Sequence, residues 1–220
     1  MQQSDEQTAV QLRCPHGEEG TMFGQVMNLR NLTQTVSAFH AVALNDSDCI
    51  LEIGCGNGGL LSYILSLTDN MHYTGLEISP LMQQQAQTFN APFIAAQQAE
   101  YVLYDGGLLL FGDQAFDKVV SVNTVYFWQN APQMLSEICR VLKPAGRLCL
   151  NFCEKDFMTQ LPFAQYGFTL YDASEIKQMT QQMPLYCVTE QRSRDWAVSK
   201  TGALIRREFV NLVFEKQKAV

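Results

Sequence analysis

Apolar residues come in two rhythms along this chain. Short, nearly continuous runs, typical of strands buried on both faces, fall at Cys49–Ile53, Met71–Ile78, Pro92–Ala96, Phe116–Asn123 and Arg147–Cys153. Between them the spacing widens to three and four, predicting helices from the glycines after Ile53 to Leu67, over Leu81–Asn90, over Ala131–Leu142 and over Ala173–Gln182. Ser79 with Pro80 reads as a cap followed by proline at the first helical position, and Pro132 starts another helix. Thr21 to Leu44 carries apolar residues at helical spacing, with a break expected in its middle, while residues 1–11 are expected to be disordered or loosely attached. The stretch Tyr101–Gln114, with Gly106, Gly107 and the cluster Leu108–Phe111, fits either a hairpin or a loop insertion.

Two β-rich stretches, Leu185–Trp196 and Ala203–Phe214, flank Thr201 and Gly202 and pair most simply as a hairpin. Strands alternating with helices and ending in an antiparallel hairpin predict an α/β fold, a mostly parallel sheet covered by helices on both faces. No composition shift divides residues 1–220, so one domain is expected: an N-terminal helical cap over residues 1–45 and a core over 46–220.

The first strand runs into Gly54, Gly56, Gly58 and Gly59 and then into Leu60–Leu65. Strand, glycine turn and helix open a βαβ unit. Glycines there let a ligand approach the backbone, and the N-terminus of the next helix favours an anion. Gly54, Gly56 and Gly59 satisfy the dinucleotide spacing G-x-G-x-x-G, which several nucleotide-like ligands share.

Charge narrows the partners. The 220 residues hold 47% hydrophobic and 17% charged side chains, with a formal charge of −7 and no stripe of Lys or Arg, which argues against a nucleic-acid backbone. The start, Met1 to Gln7, is polar and acidic and is not expected to act as a secretory leader, and no apolar stretch reaches membrane-spanning length. Seven cysteines, among them Cys49, Cys139, Cys149 and Cys187, read as reduced thiols of a cytoplasmic protein. Cys14 with His16 and Cys149 with Cys153 lack zinc spacing, so no metal is expected, and thiol-dependent chemistry on a thiophilic substrate is set aside.

Ligands of open α/β sheets bind beyond the carboxyl ends of the strands. Glu77 ends the second strand about 20 residues after the glycine turn, where a carboxylate accepts two hydrogen bonds from a ribose diol. At this point the chain resembles the class I S-adenosylmethionine-dependent methyltransferases of the small-molecule type. The resemblance rests on Ile50–Gly58, Gly75–Ser79, Phe116–Ser121 and Glu137–Arg147, four motifs in series over about 100 residues.

The resemblance implies a Rossmann-like three-layer sandwich with a seven-stranded sheet whose last strand is antiparallel. It implies S-adenosylmethionine as cofactor, S-adenosylhomocysteine as product and a small-molecule methyl acceptor. Glu52, Gly54, Cys55, Gly56, Asn57 and Gly58 would line the methionine half, Glu77 would hold the ribose and Ile78 would lie against adenine. The adenine amino group usually meets an Asp after strand three; here Gln98 followed by Ala99 takes that place, with Gln97 competing. Ser121, Val122 and Asn123 would sit beneath the sulfonium.

Tyr126, Phe127 and Trp128 follow strand four, and Tyr126 and Trp128 are expected to line the acceptor pocket. No base stands out. Tyr126 and His16 are the candidates, with Arg13 and Glu18 near His16, while His40 and His72 read as surface or packing residues. Two alternatives stay open: a non-catalytic cofactor-binding or partner subunit of the same fold, and a nicotinamide oxidoreductase. The second lacks the Tyr-x-x-x-Lys pair of short-chain dehydrogenases.

Overall fold

A computed structural model describes residues 4–198 and 204–218. Seven strands form one sheet in the order β3-β2-β1-β4-β5-β7-β6. They are β1 Cys49–Ile53, β2 His72–Glu77, β3 Ala99–Leu103, β4 Phe116–Val122, β5 Leu142–Phe152, β6 Leu185–Val198 and β7 Leu204–Lys216. β1 pairs in parallel with both β2 and β4, so the strand order reverses there. β7 is antiparallel to β5 and β6, as the hairpin pattern required. The turn at Thr201 and Gly202 lies outside the described residues.

Eight α-helices flank the sheet among the described residues: α1 Asp5–Arg13, α2 Gly17–Ala41, α3 Leu61–Leu65, α4 Pro80–Phe89, α5 Ala91–Ala95, α6 Ala131–Val141, α7 Lys155–Met158 and α8 Ala173–Thr180. One core layer joins Ala38 and Phe39 of α2, Ile64 of α3 and Ala86 of α4 to Ile50, Val120 and Cys149 of the sheet. The opposite layer packs Leu135 and Ile138 of α6 and Ile176 of α8 on Leu51, Val119 and Leu148. The result is a three-layer sandwich.

Four sequence expectations are corrected. Residues 4–11 are not loose, residues 1–3 of that stretch lying outside the described residues: Ser4 and Gln7 close a capping box, with Gln7 N–H donating to Ser4 Oγ at 3.1 Å and Ser4 N–H to Gln7 Oε1 at 3.0 Å, so α1 forms. α2 runs 25 residues without the expected break. The helix after the glycine turn is only five residues long, so its dipole adds little and any anion there depends on the turn's own N–H groups.

The fourth correction bears on function. Pro92–Ala96, read as strand three, is helix α5, and the third strand is Ala99–Leu103. A short apolar run is ambiguous by periodicity alone, and Pro92 suits a helix start. The ambiguous stretch Tyr101–Gln114 therefore resolves into the end of β3 and a loop.

Candidate active site

A cavity of about 1140 Å³ opens over the carboxyl ends of β1, β2 and β4, the place where ligands bind in open α/β sheets. Its floor at one end is the glycine turn. Gly54 sits at φ +78 with Thr124 so near that a Cβ would meet its Cγ2 at 2.2 Å. Gly56, at φ +57, has nothing within 4 Å of a Cβ position, so its bare backbone faces open space. That is the surface a ligand can approach closely.

Two buried carboxylates flank the turn. Glu77 accepts three backbone N–H bonds, from Gly56 at 2.9 Å, Ile78 at 2.9 Å and Ser79 at 2.8 Å. Burial pushes its pKa up, against those bonds. Among the described residues Glu52 accepts only from the Tyr73 hydroxyl, at 2.5 Å. Burial dominates and raises the Glu52 carboxyl to about 7. Burial likewise lifts the Cys55 thiol, so it stays protonated.

α2 seats on this turn because two small residues let it come close. A Cβ on Gly24 would meet Met82 Sδ at 2.8 Å, and one on Gly20 would meet Leu81 at 2.8 Å and the Pro15 backbone at 3.0 Å. Asn28 Nδ2 then donates to Asn57 Oδ1 at 2.8 Å, while the buried Asn57 Nδ2 has no protein partner among the described residues. Ser79 Oγ donates to the Pro15 carbonyl at 2.5 Å, fixing the turn between α1 and α2 over the end of β2.

Of the residues singled out from sequence, Glu52, Gly54, Cys55, Gly56, Asn57, Gly58, Glu77, Ile78, Val122, Asn123, Tyr126 and Trp128 all line the cavity. Gln98 and Ala99 do not. The Gln98 carbonyl accepts from Tyr73 N–H at 2.9 Å, at the amino edge of the sheet, opposite the cavity. The residues that follow strand three are Tyr104, Asp105 and Gly106, which line it beside Ile78. Ser121 also lies outside the lining; its hydroxyl bonds to that of Thr124, which is in the wall.

Neither candidate base is placed to act as one. The Tyr126 hydroxyl accepts from Cys153 N–H at 2.6 Å and donates to the Cys153 carbonyl at 3.0 Å, and burial holds its pKa well above the usual range. His16 is exposed outside the lining, with Nδ1 3.0 Å from the Cys14 carbonyl. Arg13 reaches the cavity wall and Glu18 does not; His40 meets the Tyr63 hydroxyl at 2.9 Å, and His72 is exposed at the start of β2.

At the other end of the cavity the sequence pointed to Tyr126, Phe127 and Trp128 but not to the remaining walls. There the walls are Phe127, Phe157, Leu161, Phe163 and Phe168, contributed largely by residues 155–168. Phe127 and Phe168 pack with centroids 4.6 Å apart and ring planes tilted by 60°. Trp128 is buried in this wall, with its Nε1 lacking a partner among the described residues. Beneath them lies a relay of side-chain amides. Gln34 Nε2 donates to Asn151 Oδ1 at 2.9 Å, Asn123 Nδ2 donates to Gln34 Oε1 at 2.9 Å and to Asn31 Oδ1 at 3.2 Å, and Asn151 Nδ2 donates to Asn211 Oδ1 at 2.6 Å. Asn123 holds φ +57, strained backbone that Asn tolerates.

The fold is the one shared by class I methyltransferases, and the sequence comparisons point to the same enzymes. Residues 51–150 match the family model described as a methyltransferase domain. Among curated relatives, the chain is similar to the phthiotriol/phenolphthiotriol dimycocerosates methyltransferase of Mycobacterium leprae, 33% identical over 173 residues, covering 74% of this chain and 60% of that protein. It is also similar to the 2-methyl-6-phytyl-1,4-hydroquinone methyltransferase of a Synechocystis strain, 33% identical over 125 residues, 51% of this chain and 38% of that protein. The chain thus spans less than two thirds of these relatives' length. Solved structures with the same fold include a chain of the complex of the Haloferax volcanii Trm112 methyltransferase activator, with TM-score 0.76 and 16% identity over 99% of both chains. A SAM-dependent methyltransferase of Methanosarcina mazei aligns with TM-score 0.62 and 19% identity over 82% of this chain and 97% of that one.

Proposed function

We propose that the chain binds S-adenosylmethionine in this cavity and transfers its methyl group to a small-molecule acceptor. The observation that carries the reading is the pairing of an open backbone at Gly56 with a buried Glu77 carboxylate at the switch point of the sheet. When bound, the cofactor supplies a methyl group already activated by positive sulfur.

The chain's own residues fit that ligand. Gly54 to Gly58 offer bare backbone to the methionine end, and the unpartnered Asn57 Nδ2 is a donor available to it. Glu77 has lone pairs beyond its three backbone bonds with which to accept from ribose hydroxyls. Ile78 and the loop at Gly106 approach each other as two sides of a slot for adenine, where Asp105, rather than Gln98, would accept from the amino group. α1, α2 and Phe127 exclude water from above, and Val122, Asn123 and Thr124 position the acceptor from below.

Calorimetry with S-adenosylhomocysteine tests the reading. Glu77→Ala should weaken binding by about 1–3 kcal/mol. Affinity unchanged in that variant would remove Glu77 from the site, and no binding to the unaltered chain would remove the cofactor.

A further inference from the structure

Resting on the cofactor reading above, we infer that the acceptor is a carboxylic acid with an apolar body, methylated on its carboxylate oxygen. Three independent features of the acceptor end lead there: its walls, its cation and its lack of a base.

The walls are the Phe127, Phe157, Phe163 and Phe168 rings with Leu161, which favour an apolar body over a polar one. The cation is Arg207 on β7, buried in the same wall. Its Nε and Nη2 are spent on Asp195, at 3.0 and 2.5 Å, and Nη2 also donates to the Arg30 carbonyl at 2.7 Å. Nη1 has no partner among the described residues. A guanidinium clamped by one carboxylate along one edge presents its remaining N–H groups in a fixed direction, which suits a second carboxylate. Arg30, whose carbonyl accepts that bond, also lines the cavity. The cation lies near enough to bias both the Tyr126 hydroxyl and the Cys153 thiol at the ends of β4 and β5.

The third feature concerns protons. Where the acceptor atom would sit, over Asn123, the polar groups are the amides of Asn31, Gln34 and Asn123, which neither gain nor lose a proton. The titratable neighbours are Tyr126, whose hydroxyl is tied to the Cys153 backbone; Cys153, a thiol pushed up to about 12 by burial; and Asp195 and Arg207, bonded to each other. Each of these described groups is already engaged in a hydrogen bond or an ion pair. An alcohol or phenol would have to lose one to become a good nucleophile, whereas a carboxylate is already ionised at neutral pH. Its oxygen forms the bond to the methyl carbon as the carbon–sulfur bond breaks, the electron pair stays on sulfur, and no proton changes hands. The products are a methyl ester and S-adenosylhomocysteine.

The test loads the full chain with S-adenosylhomocysteine and titrates decanoate, 1-decanol and decylamine, then 3-phenylpropanoate and its alcohol, by calorimetry. The acids should bind about tenfold more tightly than the matched alcohols and amine. Asp195→Asn, which frees the guanidinium, should tighten the acids and leave the alcohols unchanged, a split that a purely structural ion pair would not produce. Arg207→Gln should abolish the preference, with S-adenosylhomocysteine affinity kept as the sign of an intact fold. Mass spectrometry with S-adenosylmethionine should find the methyl ester. Equal binding of acids and alcohols, or tightest binding by the amine, would overturn the inference. Failure of S-adenosylhomocysteine to bind at all would instead strike the cofactor reading beneath it.

Discussion

Glu52 and Glu77 are both buried at one end of the cavity, yet their surroundings hold them differently. Glu77 receives three N–H bonds, which support its charge; Glu52 receives one phenolic bond, and burial leaves its pKa near 7. The sign of the consequence follows from linkage. A carboxyl whose folded pKa exceeds its unfolded value near 4.5 binds its proton more tightly when folded, so its burial penalises the fold only as pH rises from there through 7. Glu52→Gln keeps an oxygen for the Tyr73 hydroxyl and removes the ionisation. Relative to the unaltered protein, the variant should gain nothing near pH 4.5 and on the order of 2–3 kcal/mol above pH 7. Urea unfolding at several pH values measures the difference. A gap that is constant with pH would show that Glu52 does not titrate in this range.

At the scale of elements, the most consequential misreading was one strand. β1, β2, β4 and the terminal hairpin were legible because long apolar runs, β-branched residues and flanking glycines all agreed. Pro92–Ala96 is as apolar as a strand, whereas the actual β3 mixes exposed Glu100 and Leu103 with buried Ala99 and Tyr101, as an edge strand can. Moving the strand by seven residues moves its end from Gln98 to Asp105. Gln98 lies away from the cavity and Asp105 lines it, so Asp105 is the acidic residue proposed for the adenine amino group. α1 was legible too, in Ser4 and Gln7, but its polar composition masked the capping box. The ion pair at the acceptor end was not, because Arg207 and Asp195 come together only through the register of β6 on β7. Asp105→Ala should cost S-adenosylhomocysteine affinity of about 1–2 kcal/mol, while Gln98→Ala should leave it unaltered. The reverse result in the same calorimetric titration would restore the earlier placement.

Across the whole molecule, the cavity is polarised in a way the net charge of −7 conceals. Glu52, Glu77 and Asp105 gather at the end proposed for a cationic cofactor, and Arg30 and Arg207 at the end proposed for an anionic acceptor. α1 stands over the cavity: its residues Asp5, Thr8, Leu12 and Arg13 line it, and the helix packs against the turn Pro162–Gln165. α1 buries only Thr8, Ala9 and Gln11, too little to hold a nine-residue helix as firmly as the sheet beneath it. By contrast, β1 and β4 are paired on both sides and almost wholly buried. Opening should therefore be local. Hydrogen exchange should find the amides of Asp5–Arg13 exchanging orders of magnitude faster than those of β1 and β4, and saturating S-adenosylhomocysteine should slow both while leaving the helix the faster of the two. If without ligand the helix amides exchange as slowly as those of the strands, α1 opens only when the whole fold does. Ligands would then have to enter from the side of the β6–β7 ribbon, past Ala197 and Ile205.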